Sequence, residues 1–599
     1  MMILQLFLLG LTALILTFTL GYISLRAVTN LTVKECLALA GGWGIALQGS
    51  IAFIGFLLGL SERNFFGLMI LGLLTIFLAL FVQKNIKREP QDLSLNKLGL
   101  SGRMIWEINR LADVVFLRQL FAQNYSWLYP LIGFWLTLVG IQLFIPLYSG
   151  AGWFGDWWYH YDIARVYLGK QATDTIYFGY TVTSRTPLFN LCASYYLELL
   201  GEGFSTYQLI STLPGFFLLT TIPLLIRSKQ VTLAMTLVAL NPYINNVTIF
   251  PWPKTLTTLY VIAGIYFYLD LRKQTSPNFF NQKALCCGMS LGLAMLSHPS
   301  ALIYVGVIVV DNIWLNRRSF TTLFSQLGFP LLISFAVLLP WVLWGISEYG
   351  ITKFFHSASN TVGSATLINR LIDALKNALF TLEPYLLFDN FFNINDFTHI
   401  NTEITYIGKW DSWLLLYYDI IPGTLTFTIS SLLIFKGIRR SFKKVPLQSI
   451  LPNSLFWGII IIGFWGGCLL QPGTNSAGIV GESMAPIIFV LLLVATEYLY
   501  TLPVQFKQFI LLMITGEFLD SRGIHLAFLA IGSPIVWDEN IMLKVSNNLV
   551  FARDLIGNSW SILIVVFGLL MSLIMGLKDC LNAPENLESV NKSSEKYYR

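Results

Sequence analysis

The chain has 599 residues, of which 55% are hydrophobic and only 12% charged; this excludes a soluble globule that hides its apolar surface in one core and leaves lipid as the solvent. Its net charge of +6 does not point to nucleic acid, because the basic residues are confined to short connectors and the tail, where membrane topology accounts for them. Six cysteines (Cys36, Cys192, Cys286, Cys287, Cys468 and Cys580) show no CxxC spacing and read as small apolar residues.

Almost uncharged stretches at 3–20, 37–60, 128–148, 208–226, 327–345, 413–435, 456–470 and 561–577 approach the roughly 20 residues needed to span a hydrocarbon core. Lipid offers the backbone no other partner, so each is expected to be a helix. The fold class is therefore an all-α polytopic membrane protein, with about 13–15 transmembrane helices and external loops carrying short helices. The first stretch has no small-residue cleavage site and is expected to be a retained span. Residues 1–83 form N-terminal transmembrane helices with no chemistry of their own. Residues 84–127 form a basic cytoplasmic connector in which 104–120, with Arg110 and Arg118, suits an interfacial helix.

Basic clusters at Lys84, Lys87 and Arg88, at Arg227 and Lys229, at Arg272 and Lys273, at Arg317 and Arg318, at Arg439, Arg440, Lys443 and Lys444, and in the tail 578–599 are expected to face the cytoplasm. Segments 187–200 and 284–296 are short for a full span. All basic loops stay inside only if the first of them does not complete a crossing; the alternative is one misplaced cluster. Two polar stretches then lie outside, 149–186 and 347–411, the second with Asp373, Glu383, Asp389, Asp396, His399 and Glu403. Residues 501–577 make up a C-terminal transmembrane region.

The first external stretch, Ser149 to Arg165, reads SGAGWFGDWWYHYDIAR. A helix starting at Asp156 puts His160 on the same face at i+4, while Asp162 falls nearer the other side and can pair with Arg165 at i+3. Its aromatics suit stacking on sugar faces. They equally suit an ordinary aromatic belt at a bilayer interface, with Asp156 as a helix cap.

Gly155-Asp156 followed by aromatics, His160 and Ala164, then Arg185-Thr-Pro-Leu-Phe, Asn241-Pro-Tyr-Ile-Asn-Asn with Pro251-Trp-Pro-Lys-Thr-Leu, and Gly292-Leu-Ala-Met-Leu-Ser-His-Pro-Ser follow one another in order along the chain. In that order and spacing they resemble the GT-C superfamily of polytopic membrane glycosyltransferases, including those similar to dolichyl-phosphate-mannose-protein mannosyltransferases, over about 128–500. The resemblance implies a GT-C-like bundle and sugar transfer, on the external face, from a polyprenyl-phosphate-linked donor to a glycan, lipid or protein acceptor. It further implies Asp156 as the acidic catalytic centre, aided by His160 and Asp162, with Lys254, Arg185 and His298 as cations for the donor phosphate. No cofactor is expected, since Asp156 and Asp162 alone make a thin site for a divalent ion.

Two departures stand against the superfamily pattern. No acidic residue lies between Asn246 and Lys254, and Glu482 stands where related chains often carry arginine. Two other readings remain open: a polymerase, ligase or flippase for lipid-linked polysaccharide, relying on arginines and the 347–411 loop, and a non-catalytic transporter-like subunit with charges buried mid-span. A multi-pass protein of a bacterial inner membrane, with its site facing the periplasm, is the expected setting.

Overall fold

A computed structural model describes residues 2–86, 126–144, 156–173, 181–226, 228–249, 252–274, 281–359, 367–382, 450–470, 483–500, 502–531 and 559–581. Among these residues the regular structure is entirely helical. The expected interfacial helix at 104–120, the span at 413–435, Glu482, and Glu383, Asp389, Asp396, His399 and Glu403 lie outside them.

Six described helices are long and apolar enough to cross a membrane, and further apolar ones are shorter; the chain is a multi-pass, all-α membrane protein. Helices α1 (Met2–Val28), α2 (Val33–Leu57) and α3 (Arg63–Ile86) open it, followed by α4 (Leu128–Phe144) and the short α5 (Asp156–Tyr167). Next come α6 (Leu188–Leu200), α7 (Phe204–Thr220), α8 (Val231–Ala239), α9 (Pro242–Ile249), α10 (Lys254–Arg272), α11 (Gln282–Ser297), α12 (Ala301–Asn316) and α13 (Phe329–Tyr349). The described chain closes with α14 (Ile351–Ser359), α15 (Leu367–Leu382), α16 (Asn453–Leu470), α17 (Ala485–Tyr500), α18 (Val504–Ile531) and α19 (Ser559–Leu581).

Close helix crossings fall on glycines, as they must where lipid gives no hydrophobic drive and backbones have to approach. A side chain on Gly21 of α1 would run into the Ala40 carbonyl of α2, and one on Gly44 into the Thr17 carbonyl. Gly133 of α4 and Gly568 of α19 face each other in the same way, a Cβ on either lying 2.5 Å from the other's carbonyl oxygen. The C-terminal helix thereby packs along the first helix of the 128–500 region.

Helices α10 and α11 form an antiparallel pair. Lys254 meets His298 at one end, and Lys283 bridges Glu35 and, at 3.2 Å, Asp270 at the other. The second end also carries Arg26, Arg272, Arg317 and Arg318 and is the one the charge pattern assigns to the cytoplasm; it is called the inner end below.

The short helix α6 lies beside α5. Asn190 near its start bonds His160 of α5, and just past its end Glu202 accepts from Arg165 of α5 at 2.8 Å. Both ends of α6 thus lie against one short helix, the arrangement expected if α6 does not complete a crossing and α7 does. The companion segment, α11, runs the full distance between the two charged ends of the pair. Among the described residues, buried charges sit near helix termini, at Glu35, Lys254, Asp311 and Lys507 and in the short α5 at Asp162, not at mid-span as a transporter reading requires.

Candidate functional site

The site is built where three prolines end or start helices at the outer end. His298 precedes Pro299, which drives it out of helical geometry to φ −159, ψ 142 and makes it the C-cap of α11. Lys254 follows Pro253 and is the first residue of α10. Arg185 sits two residues before Pro187, extended at φ −125, ψ 141 after the single turn Val182–Ser184.

These three elements are tied together. Thr186 donates to the Ser297 carbonyl at 2.6 Å, fixing the Arg185 segment on the end of α11. Lys254 Nζ lies 3.0 Å from His298 Nε2 and 5.9 Å from the Trp252 ring centroid. Arg185 stacks over Tyr159 of α5 at 5.2 Å, and Tyr159 hydroxyl donates to the Thr181 carbonyl at 2.9 Å and contacts Ser184 Oγ. The aromatic ring thus holds the guanidinium beside the α5 face.

His298 reads as a neutral imidazole. Burial, the Lys254 and Arg185 charges and His160 all hold it well below its ordinary value of 6.5. The arrangement that satisfies both ring nitrogens has Nδ1–H donating to Ser300 Oγ at 2.8 Å while Nε2 accepts from Lys254. The Ser300 backbone N–H also points to Nδ1, at 3.2 Å.

Of the six residues singled out in the sequence, four come together: Lys254, His298, Arg185 and, on the adjoining α5 face, His160. His160 Nδ1 meets Asn190 Oδ1 at 3.1 Å, and the Asn190 amide nitrogen is buried without a hydrogen-bond partner. Asp156 is the first residue of α5, where the sequence reading starts the helix, and its side chain lies outside the described residues. Asp162 faces elsewhere: it is buried 3.9 Å from Arg165, whose Nε bonds Glu202, giving the i, i+3 pair read from the sequence. Asn190, Ser300 and Tyr159 were not singled out, although each lies beside a residue or motif that was.

The arrangement is a half-buried set of two cations and a neutral histidine at a helix N-terminus, next to a helix that begins with a carboxylate. It suits an oxyanion that arrives with its charge exposed and leaves with more. Among the described residues no group of three or more His, Cys, Asp or Glu gathers as a metal cluster would.

No family model and no curated protein matches the chain. Among solved structures it is similar to ArnT from Cupriavidus metallidurans bound to undecaprenyl phosphate, at 14% identity and a TM-score of 0.41 over 77% of this chain and 78% of that one. It is also similar to the Archaeoglobus fulgidus oligosaccharyltransferase in its apo form, at 13% identity and a TM-score of 0.39 over 80% of this chain and 60% of that one. With likeness at this level, the functional conclusion has to stand on the site's own residues.

Proposed function

We propose that the protein is a membrane glycosyltransferase of GT-C type, moving a sugar from a polyprenyl-phosphate donor to a glycan, lipid or protein hydroxyl at the outer end of the bundle. The observation that carries the proposal is the Lys254–His298–Arg185 group. Lys254, buried at the first turn of α10, and Arg185, held over Tyr159, bring two cations to a neutral histidine at the outer end of the bundle. Paired donors of this kind suit an oxyanion, and the phosphate that departs as the glycosidic bond breaks is such an anion.

The chemistry assigns each group a task. Lys254 and Arg185 hold the phosphate and stabilise the charge that grows on it as the C1–O bond opens. His298, neutral and donating to Ser300 until the donor binds, orients Lys254. Asp156 takes the proton from the acceptor hydroxyl as that oxygen attacks C1, and His160 shapes the α5 face beside it. A bacterial inner membrane, with the site on the periplasmic side, fits the placement of the basic clusters at the other end.

The test is transfer from a panel of radiolabelled polyprenyl-phosphate sugars in membranes holding the full chain or its Asp156→Asn variant at equal amounts. Loss of about a hundredfold or more in the variant is expected for a missing general base. Equal transfer by both removes Asp156 from the mechanism, and no transfer by the full chain with any donor removes the glycosyltransferase assignment.

A further inference from the structure

Three threonines stand in the first turn and a half of α10, and only one of them has an uncommitted hydroxyl. Thr257 Oγ1 donates to the Pro253 carbonyl at 2.8 Å and Thr258 Oγ1 to the Lys254 carbonyl at 2.9 Å, the bond to the fourth residue back that a threonine inside a helix commonly makes. Thr255 has no helical carbonyl four residues behind it, because the N-cap is Pro253. Its side chain is wholly buried, and among the described residues its hydroxyl has no hydrogen-bond partner.

A buried hydroxyl in that state has lost its hydration with nothing in return, and native chains keep such a group where something else completes it. Thr255 is the second residue of the helix, and its Cα–Cβ bond leans toward the helix N-terminus, as every such bond in an α-helix does. That end is uncapped: Pro253 makes no side-chain cap bond, and the first turn holds no acidic residue. The N–H groups of Thr255 and Leu256, which a cap would satisfy, point toward the same end as the hydroxyl. Lys254, one residue earlier and itself buried, adds a full positive charge beside them. Backbone N–H groups, a hydroxyl and an ammonium at the positive end of a 19-residue helix make a donor set for a tetrahedral oxyanion.

We infer that the first turn of α10 is a phosphate cradle, in which the Thr255 hydroxyl and the Thr255 and Leu256 N–H groups bind oxygens of the same polyprenyl phosphate that Lys254 holds. The inference rests on the reading of Lys254 and Arg185 as the phosphate's cations and adds a neutral part fixed to one helix. Long cationic side chains neutralise charge from many directions; a hydroxyl and N–H groups on a rigid turn set where each oxygen sits. Thr255 is thus a binding residue. The polyprenyl monophosphate left after transfer carries more charge on its oxygens than the donor and is the species the cradle holds more tightly.

Binding of farnesyl monophosphate to the full chain in detergent, followed by isothermal titration calorimetry with no sugar present, tests it. Thr255→Val keeps the shape, removes the hydroxyl and is expected to weaken binding about tenfold. Thr255→Ser is expected to restore it, and Thr257→Val, whose hydroxyl is bonded within its own helix, to bind like the wild type. The unfolding midpoint without ligand separates this role from a structural one. Because the Thr255 hydroxyl has no partner in the empty chain, Thr255→Val should leave the midpoint unchanged or raise it. A lowered midpoint or failure to fold, or wild-type affinity in Thr255→Val while Lys254→Gln binds weakly, would overturn the inference and leave the cation reading standing. No binding by the wild-type chain would remove the phosphate reading of Lys254 and Arg185, and the cradle with it.

Discussion

Lys254 and His298 lie far apart in sequence yet meet at 3.0 Å, and what each contributes differs with pH. In the folded chain burial and two cations keep His298 neutral. The unfolded chain binds a proton there below about 6.5, so this residue's effect on stability turns unfavourable as pH falls through that ordinary value. A phosphate bound beside it supplies the opposite charge and raises its proton affinity. Donor binding is then accompanied by proton uptake, and the donor KM is expected to fall as pH is lowered from 8 to 6. His298→Asn should flatten that slope, and a slope unchanged in the variant would place the titrating group elsewhere. Lys254→Gln removes a charge-assisted contact of about 1.5–3 kcal/mol, raising KM roughly tenfold to a hundredfold; steady-state kinetics with the lipid donor reads it. These residues were legible in the sequence because each stands beside a proline that ends or starts a helix. Asn190 and Ser300 were not, since a buried amide and a hydroxyl carry no pattern until a fold sets a histidine against them.

At the scale of elements, α14 and α15 belong to the external stretch 347–411, which composition alone marks only as polar. Phe354 of α14 packs against Gly345 and Trp341, and α14 also touches the Val182–Ser184 turn that leads to Arg185. Around α15 three faces separate. Ala374 and Ala378 are buried against the bundle, Ile368, Leu371, Ile372 and Leu375 are exposed and apolar, and Asn369, Arg370 and Asp373 occupy the third side. A helix with one apolar face left uncovered and one polar face lies in a bilayer interface. Spin labels at Leu371 and Leu375 are expected to collide with lipid-soluble oxygen, and labels at Asn369 and Asp373 with a water-soluble nickel chelate. Equal exposure of all four to the chelate would lift α15 off the membrane. The sequence left the crossing of 187–200 open for a related reason: apolar length cannot separate a short span from a helix lying against another. The contacts of α5 with the two ends of α6 favour a helix lying against another.

Over the whole molecule, the three N-terminal helices had no chemistry in the sequence, and the structure gives them a supporting one. Tyr196 of α6 sits under α5 and reaches back to the N-terminal pair. Its hydroxyl lies 2.5 Å from Thr17 Oγ1, accepts from Gln48 Nε2 at 2.7 Å and is 2.9 Å from the Ala13 carbonyl. At the outer end Phe56 of α2 packs edge-on to Tyr167 of α5 and to Trp344 of α13. The helix that begins with Asp156 is thus braced from below and from the side by residues far earlier in the chain, a long-range dependence that no local pattern encodes. Removing the Tyr196 hydroxyl leaves buried Gln48 and Thr17 short of a partner, at a cost of about 1–2 kcal/mol, since a bond within a membrane bundle is replaced by nothing. Tyr196→Phe should lower the unfolding midpoint in detergent. Because Gln48 and Tyr196 share one network, adding Gln48→Met should cost less than the two single losses summed. Strict additivity would mean that α1 and α2 contribute to the α5–α6 platform through packing alone, and the N-terminal helices would then act on the site only through shape.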